Sequence, residues 1–434
     1  MRPIRRARGA RSLALVAAVL LIAACDASTP TSTPTPTSPT SLAAPSATGG
    51  GPTSSASSAP TAKARLSATA RPSSTRAPSI APSAVASCAT RTLASLTEAQ
   101  RIGQLFVLGL TDDQLDTAER TAISQYHFGS MTMTTGTKVG VTAIHAVTSA
   151  VQRLASPAAT GGVGFFVAAN QEGGLIQGLA GPGFDTIPTA LAQGSMSPAA
   201  LKTAATRWGK QLAAAGINLN FAPVADTVPP GTDQENAPIG RLKREYGHDP
   251  QTVASHVAAF IAGMRAAGID TTAKHFPGLG RVVGNTDDTA DVVDTVTTPT
   301  DPYLDPFGAA VQAGTPFVMV SLATYTKIDP NDLAVFSPTI ITGMLRGDLG
   351  FRGVVISDSL GAAAVASIPP ATRGTDFVAA GGDMIISNLI PAAVGMAQGI
   401  AARAATDPAF RALVDAATIR VLKAKDAAGL LPCD

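Results

Sequence analysis

Gly353-Val354-Val355-Ile356-Ser357-Asp358 is a short β-branched run that breaks off at a hydroxyl and a carboxylate. An apolar run without polar alternation is the mark of a strand buried on both faces in a parallel sheet. The same grammar recurs outward from it in both directions. Strands are predicted at 104–108, 129–133, 164–168, 219–222, 270–273, 317–320, 354–356 and 384–386. Alanine-rich stretches of helical character, such as 199–215, 250–267 and 337–349, lie between them, the last opening on Ser337-Pro338. Polar residues fall directly after apolar runs: Asn170-Gln171-Glu172, Asp226, Lys274-His275, Ser321 and Ser357-Asp358. In an α/β protein of the (β/α)8 TIM-barrel type such positions converge on one mouth, where active sites are built. An open doubly wound sheet also gathers residues at strand carboxyl ends, so the pattern favours the barrel over that alternative only modestly.

The ends of the chain read differently. Arg2, Arg5, Arg6, Arg8 and Arg11 precede an apolar run at 13–24. That run is too short to span a bilayer, so residues 1–24 read as a signal peptide. Its end, Ile22-Ala23-Ala24-Cys25, resembles a bacterial lipobox, which implies lipidation of Cys25 and membrane attachment through the lipid. Cleavage by the ordinary signal peptidase is the alternative. Residues 25–87 are almost entirely Ser, Thr, Pro, Ala and Gly, too poor in apolar side chains to offset chain entropy, and are expected to form a disordered tether. Residues 88–434 suit a single barrel domain.

Charge and cysteine usage narrow the function. The whole chain has 32 basic and 30 acidic residues, but nine of the basic and one of the acidic lie before Cys88, which leaves 23 against 29, a formal −6. No basic surface is forecast on the folded part, which argues against nucleic acid as a partner. With Cys25 assigned to the lipid, Cys88 and Cys433 remain at the two ends of the domain and are a candidate disulfide for an extracytoplasmic protein; two free thiols are the alternative. The His and Cys residues form no metal-ligand pattern, so neither a metal nor an organic cofactor is expected. The domain is expected to work alone, as a monomer.

Asp358, delivered to the barrel mouth by its strand, is the candidate nucleophile, although an Asp in that position can also serve as a helix N-cap for 359–365. Lys274-His275-Phe276-Pro277-Gly278-Leu279-Gly280 sets two cationic or switchable side chains before a tight loop and reads as a substrate clamp. Its spacing is not that of a dinucleotide fingerprint. A buried structural Lys-His pair is the competing reading.

These residues carry a resemblance. The chain resembles the N-terminal barrel of glycoside hydrolase family 3, near the single-domain bacterial β-N-acetylglucosaminidases. The carriers, in order, are Leu96-Thr97-Glu98 through Gly103-Gln104-Leu105-Phe106, Asn170-Gln171-Glu172-Gly173-Gly174 with Gln177, 218–226, Arg244-Glu245-Tyr246-Gly247, 274–280 and 350–358. The resemblance implies that Asp358 is the nucleophile of a retaining hydrolase and that Arg244, Lys274 and His275 contact the sugar, with Asn170 and Glu172 in the same substrate site. Asp226 ranks as a support.

The chain departs from that pattern in four places. Where the family's N-acetylglucosaminidases carry an Asp-x-His dyad, this chain reads Asn285-Thr286-Asp287. Asp287 then becomes the candidate acid/base, in place of the dyad's His, or else belongs to a solvated acidic turn with Asp288 and Asp291. Asn170 stands where an Asp is common, Leu175 where an Arg is common, and Leu322 where a His is common. The resulting expectation is a glycosidase that releases β-linked N-acetylglucosamine from cell-wall fragments. A catalytically weak or inactive sugar-binding lipoprotein and a hydrolase of another β-glycoside are the alternatives. The loop 281–294 is a candidate lid.

Overall fold

The structure, a computed structural model, describes residues 86–433. The predicted signal peptide, Cys25 and all but the last two residues of the predicted tether lie outside the described residues.

Eight parallel strands form the core: β1 (Phe106–Leu110), β2 (Ser130–Met133), β3 (Phe166–Ala169), β4 (Leu219–Asn220), β5 (Asp270–Phe276), β6 (Phe317–Val320), β7 (Val354–Ser357) and β8 (Ile385–Ser387). Each pairs with its neighbour in sequence, and β8 returns to β1 through Phe106↔Ile385. The last seam, between β7 and β8, is closed by an Ile356↔Met384 bridge, with Ser357 N donating to Met384 O at 2.8 Å. The sheet is therefore a (β/α)8 barrel. All eight predicted strands overlap an observed one. β4 is shorter than expected, because Pro223 has no N–H with which to extend a ladder.

The long helices begin where the chemistry of their first residues demands. Pro198–Ala214, Pro250–Ala266 and Pro408–Ala427 each open on proline, whose missing N–H costs nothing in the first turn. Ser197, Asp249 and Asp407 precede them and accept the free amides of Ala200, Thr252 and Phe410 at 3.2, 2.8 and 3.0 Å. The stretch predicted as helical at 337–349 is found at Thr339–Asp348, wound as a π-helix that buries Ile340, Ile341, Met344 and Leu345 against the barrel.

Inside the barrel the side chains pack as a solid core; Phe166 of β3 meets Phe317 of β6 edge-on, with centroids 5.3 Å apart. A lysine closes the bottom. Lys425, on the C-terminal helix, is buried and donates to Gln104 Oε1 and to the carbonyls of Gly129 and Gly164 at 2.7, 2.7 and 2.9 Å. Burial pushes its ammonium down to about 7. A disulfide joins Cys88 to Cys433, with Cα atoms 5.9 Å apart, and fastens the two ends of the domain to each other.

At the opposite end, the segments after β3, β5 and β6 add two small sheets to the mouth. One is the hairpin Gln171–Gly173 with Ile176–Gln177; the other joins Val293–Asp294, Thr324–Tyr325 and Asp329–Leu333.

Candidate active site

A cavity of about 590 Å³ opens at the carboxyl ends of the strands, within the size range of small-molecule sites. Asp358 enters it from the end of β7. Its backbone N–H still belongs to the barrel ladder, donating to Val320 O at 2.9 Å, so the side chain sits one residue past the last strand position. Among the described residues the carboxylate has one hydrogen bond, from Ser359 N to Oδ1 at 2.8 Å. The next helical turn is Ala363–Val365, preceded by Ala362, so Asp358 does not cap a helix and its other oxygen is left for a ligand.

Facing it is a charge cluster held by Glu172. Arg244 grips that carboxylate with two parallel bonds, Nε to Oε2 at 2.9 Å and Nη2 to Oε1 at 2.8 Å, and Lys274 Nζ adds a third contact to Oε1 at 2.7 Å. Burial alone opposes ionisation of Glu172, but the charges and hydrogen bonds of Arg244 and Lys274 outweigh it and hold the carboxyl down at about 2. Lys274 also donates to Asn170 Oδ1 at 2.8 Å. Its own pKa is lowered, since burial is only partly offset by Glu172 and is reinforced by Arg244.

Glu172 differs from the expectation that it binds substrate. It is buried, does not line the cavity, and has its oxygens committed to Arg244 and Lys274. The reason is geometric. Asn170 ends the approach from β3 and lines the cavity, whereas Glu172 lies in the hairpin that follows, behind the cations it holds. It is a positioning residue, and Arg244, Lys274 and Asn170 are the groups offered to a ligand.

His275, next along β5, is positioned in the same manner. Asp226, buried after β4, accepts from His275 Nδ1–H at 2.8 Å through Oδ2, and from the amides of His275 and Leu279 at 3.1 and 2.8 Å through Oδ1. The arrangement fixes the ring's orientation and tautomer. It leaves Nε2 without a partner among the described residues, and His275 lines the cavity.

The loop 281–294 supplies Asp287. One end is anchored by Arg281, which pairs with Asp301 Oδ2 at 2.6 Å and stacks on Tyr303 at 3.6 Å from the ring centroid. Asn285 works within the turn: its Nδ2 donates to Asp288 Oδ2 at 2.8 Å, and its Oδ1 accepts from Asp287 N at 3.3 Å. The amides of Ala363 and Ala364 then donate to the carbonyls of Asp287 and Thr286 at 3.3 and 3.1 Å, docking the loop on the segment that follows Asp358. Asp287 lines the cavity and is itself exposed to solvent. Crowding by the surrounding wall, then the charge of Asp358, raises its pKa, against the pull of His275 and Arg244. A carboxyl whose proton is held more tightly than usual, close to a second carboxyl, is the kind of pairing that can supply an acid and a nucleophile.

The cavity thus brings together Asn170, Arg244, Lys274, His275, Asp287 and Asp358 from five separate segments. Leu175 is at the rim, 74% exposed, while Leu322 is buried in the core and takes no part. Sequence reasoning missed Thr134 and Asn388, which line the cavity just after β2 and β8 and obey the same strand-end rule that picked out Asp358.

Comparison with known proteins agrees with this architecture. The family model described as "Glycosyl hydrolase family 3 N terminal domain" matches residues 97–424. The solved structure of a β-N-acetylhexosaminidase from Beutenbergia cavernae is similar at 47% identity and a TM-score of 0.75, over 76% of this chain and 99% of that one. One described as a family 3 β-N-acetylglucosaminidase from a Paenibacillus species has 25% identity and a TM-score of 0.68, over 77% of this chain and 63% of that one. A β-hexosaminidase from Xylella fastidiosa is 37% identical over 210 residues, 46% of this chain and 60% of its own length, so this chain spans about three fifths of that curated relative. With the family model covering most of the chain, this protein belongs to glycosyl hydrolase family 3, through the N-terminal barrel domain of that family.

Proposed function

We propose that this protein is a retaining exo-glycosidase that releases β-linked N-acetylglucosamine from cell-wall fragments. The observation that carries the reading is the pair Asp358 and Asp287, on separate loops but in one cavity, with the pKa of Asp287 raised in part by the charge of Asp358. Asp358 attacks the anomeric carbon while Asp287 protonates the departing oxygen; Asp287 then takes a proton from the water that releases the sugar. Arg244 and Lys274 present donors to ring hydroxyls and the acetamido carbonyl, and Asn170 presents its amide. The relatives named as hexosaminidases support the choice of sugar. No cofactor enters this scheme, which needs only carboxylates and water.

The same reading makes the protein a membrane-attached lipoprotein that acts as a monomer. It rests on the signal-like run 13–24, Cys25 and the tether composition of 25–87. Replacing Cys25 by Ser should move the protein from the membrane fraction to the soluble one; retention in the membrane fraction counts against lipidation.

Phenol release from an aryl β-N-acetylglucosaminide tests the chemistry. Asp358→Ala is expected to abolish turnover. Asp287→Ala should lose about 10²-fold or more on natural oligosaccharides and far less on a substrate whose leaving group needs no proton. Wild-type protein that binds muropeptides yet turns over no aryl glycoside is instead a sugar-binding lipoprotein, a reading favoured by the replacement of the family's Asp-x-His dyad with Asn285 and Asp287.

A further inference from the structure

Apart from the catalytic cavity, Asp233, Glu245 and His248 bring two carboxylates and an imidazole together, with one ligand atom from each lying within 4.8 Å of the others. Glu245 is the member that demands an explanation. Its side chain is fully buried, and neither carboxylate oxygen meets a hydrogen-bond partner in bonding geometry among the described residues. Buried carboxylates are ordinarily paired, hydrogen-bonded or bound to a metal. Nothing in the glycosidase reading uses this one.

His248 is oriented as metal-binding histidines are. Its Nδ1–H donates to Val228 O at 3.2 Å, which sets the tautomer and leaves the lone pair on Nε2. Nε2 lies 3.7 Å from Asp233 Oδ1, too long for a hydrogen bond. That separation is close to the edge of a tetrahedron around zinc, about 3.4 Å for bonds of about 2.1 Å. Asp233 and His248 are partly open to solvent, so a hydrated ion has a way in and a water can complete the shell.

We propose that Asp233, Glu245 and His248 form a site for one divalent first-row transition ion. Two carboxylates offset the ion's charge, and the imidazole selects against calcium and magnesium, which prefer oxygen ligands throughout. The ion ties together the loop 233–248, which carries Arg244 and so the grip on Glu172. The competing occupant of the gap is a proton shared between Asp233 and Glu245.

The test is a titration of metal-stripped, tag-free full chain with zinc chloride, followed by calorimetry and by thermal unfolding with and without a chelator. The expected result is one zinc ion per chain and a chelator-reversible rise in Tm of a few degrees. Glu245→Gln, close to isosteric, and His248→Ala, at a partly exposed position that keeps the test valid should the first variant misfold, should each weaken binding at least about 100-fold. Absence of saturable binding up to millimolar zinc overturns the proposal and assigns the gap to the proton. Binding that survives in both variants but is lost in Asp358→Ala also overturns it, by placing the ion in the catalytic cavity.

Discussion

Glu172→Gln probes the support beneath the cavity, because one buried carboxylate is the counter-charge for two buried cations. The shift of Glu172 from an ordinary 4.5 to about 2 corresponds to about 3 kcal/mol of preferential interaction with its charged form. The group is buried, so solvent screening does not reduce this much. Because the folded pKa is depressed, the stabilisation is fully present above pH 4.5 and is lost as pH falls through about 2. The amide removes it at every pH and leaves Arg244 and Lys274 facing each other without compensation, a defect that typically costs about 3–5 kcal/mol. For a domain of this size that is a fall in Tm of about 4–7 °C. Lys274, already lowered, should fall further and lose its charge nearer neutrality. Thermal unfolding and aryl β-N-acetylglucosaminide kinetics read both effects: Tm drops, and kcat/KM falls about 10- to 100-fold. A variant within about 1 °C of wild type with unchanged KM refutes the reasoning, since Glu172 then neither anchors the cations nor shapes the pocket.

Two further substitutions test other supports. Asp226→Asn can donate toward His275 Nδ1 where the carboxylate accepts, so it should disturb the tautomer and lower kcat/KM by about 10²-fold, with a changed imidazole nitrogen NMR signature; an unchanged signature removes Asp226 from that role. Lys425→Ala strips the donor from Gln104 Oε1 and two carbonyls and leaves a void in the barrel floor. It should cost roughly 3 kcal/mol or more in denaturant unfolding, with little change in KM for whatever folds; a neutral effect means that water replaces the ammonium there.

The barrel was legible chiefly from strands buried on both faces that lack polar alternation, such as 317–320 and 354–357, while Ser130–Met133 and Asp270–Phe276 carry buried polar residues and signal a strand less plainly. Boundaries were less so. Gln104 looked like the first residue of a strand, but it meets Lys425, 321 positions away, and the strand starts at Phe106. The position of Asp358 and Lys274 at the mouth is legible because a strand end aims its side chain there. The placement of Glu172 behind Arg244 and Lys274 is not legible in the sequence, because its neighbours do not reveal which side of a hairpin faces the cavity. Asn285 reads from sequence as a lost catalytic residue, whereas in space it is the bracket of the turn that presents Asp287. The approach of Asp233 and His248 to Glu245 depends on a long loop folding back, which no periodicity announces.

The most direct test of the two-carboxylate account is to trap the intermediate. Asp287→Ala, mixed with an activated aryl β-N-acetylglucosaminide and quenched, should accumulate a glycosyl-enzyme, because attack by Asp358 proceeds without acid help while its hydrolysis lacks a base. Peptide mass spectrometry is predicted to find one N-acetylhexosaminyl group on Asp358. An adduct on another residue, or none in an enzyme that still releases phenol in a rapid burst, contradicts the assignment.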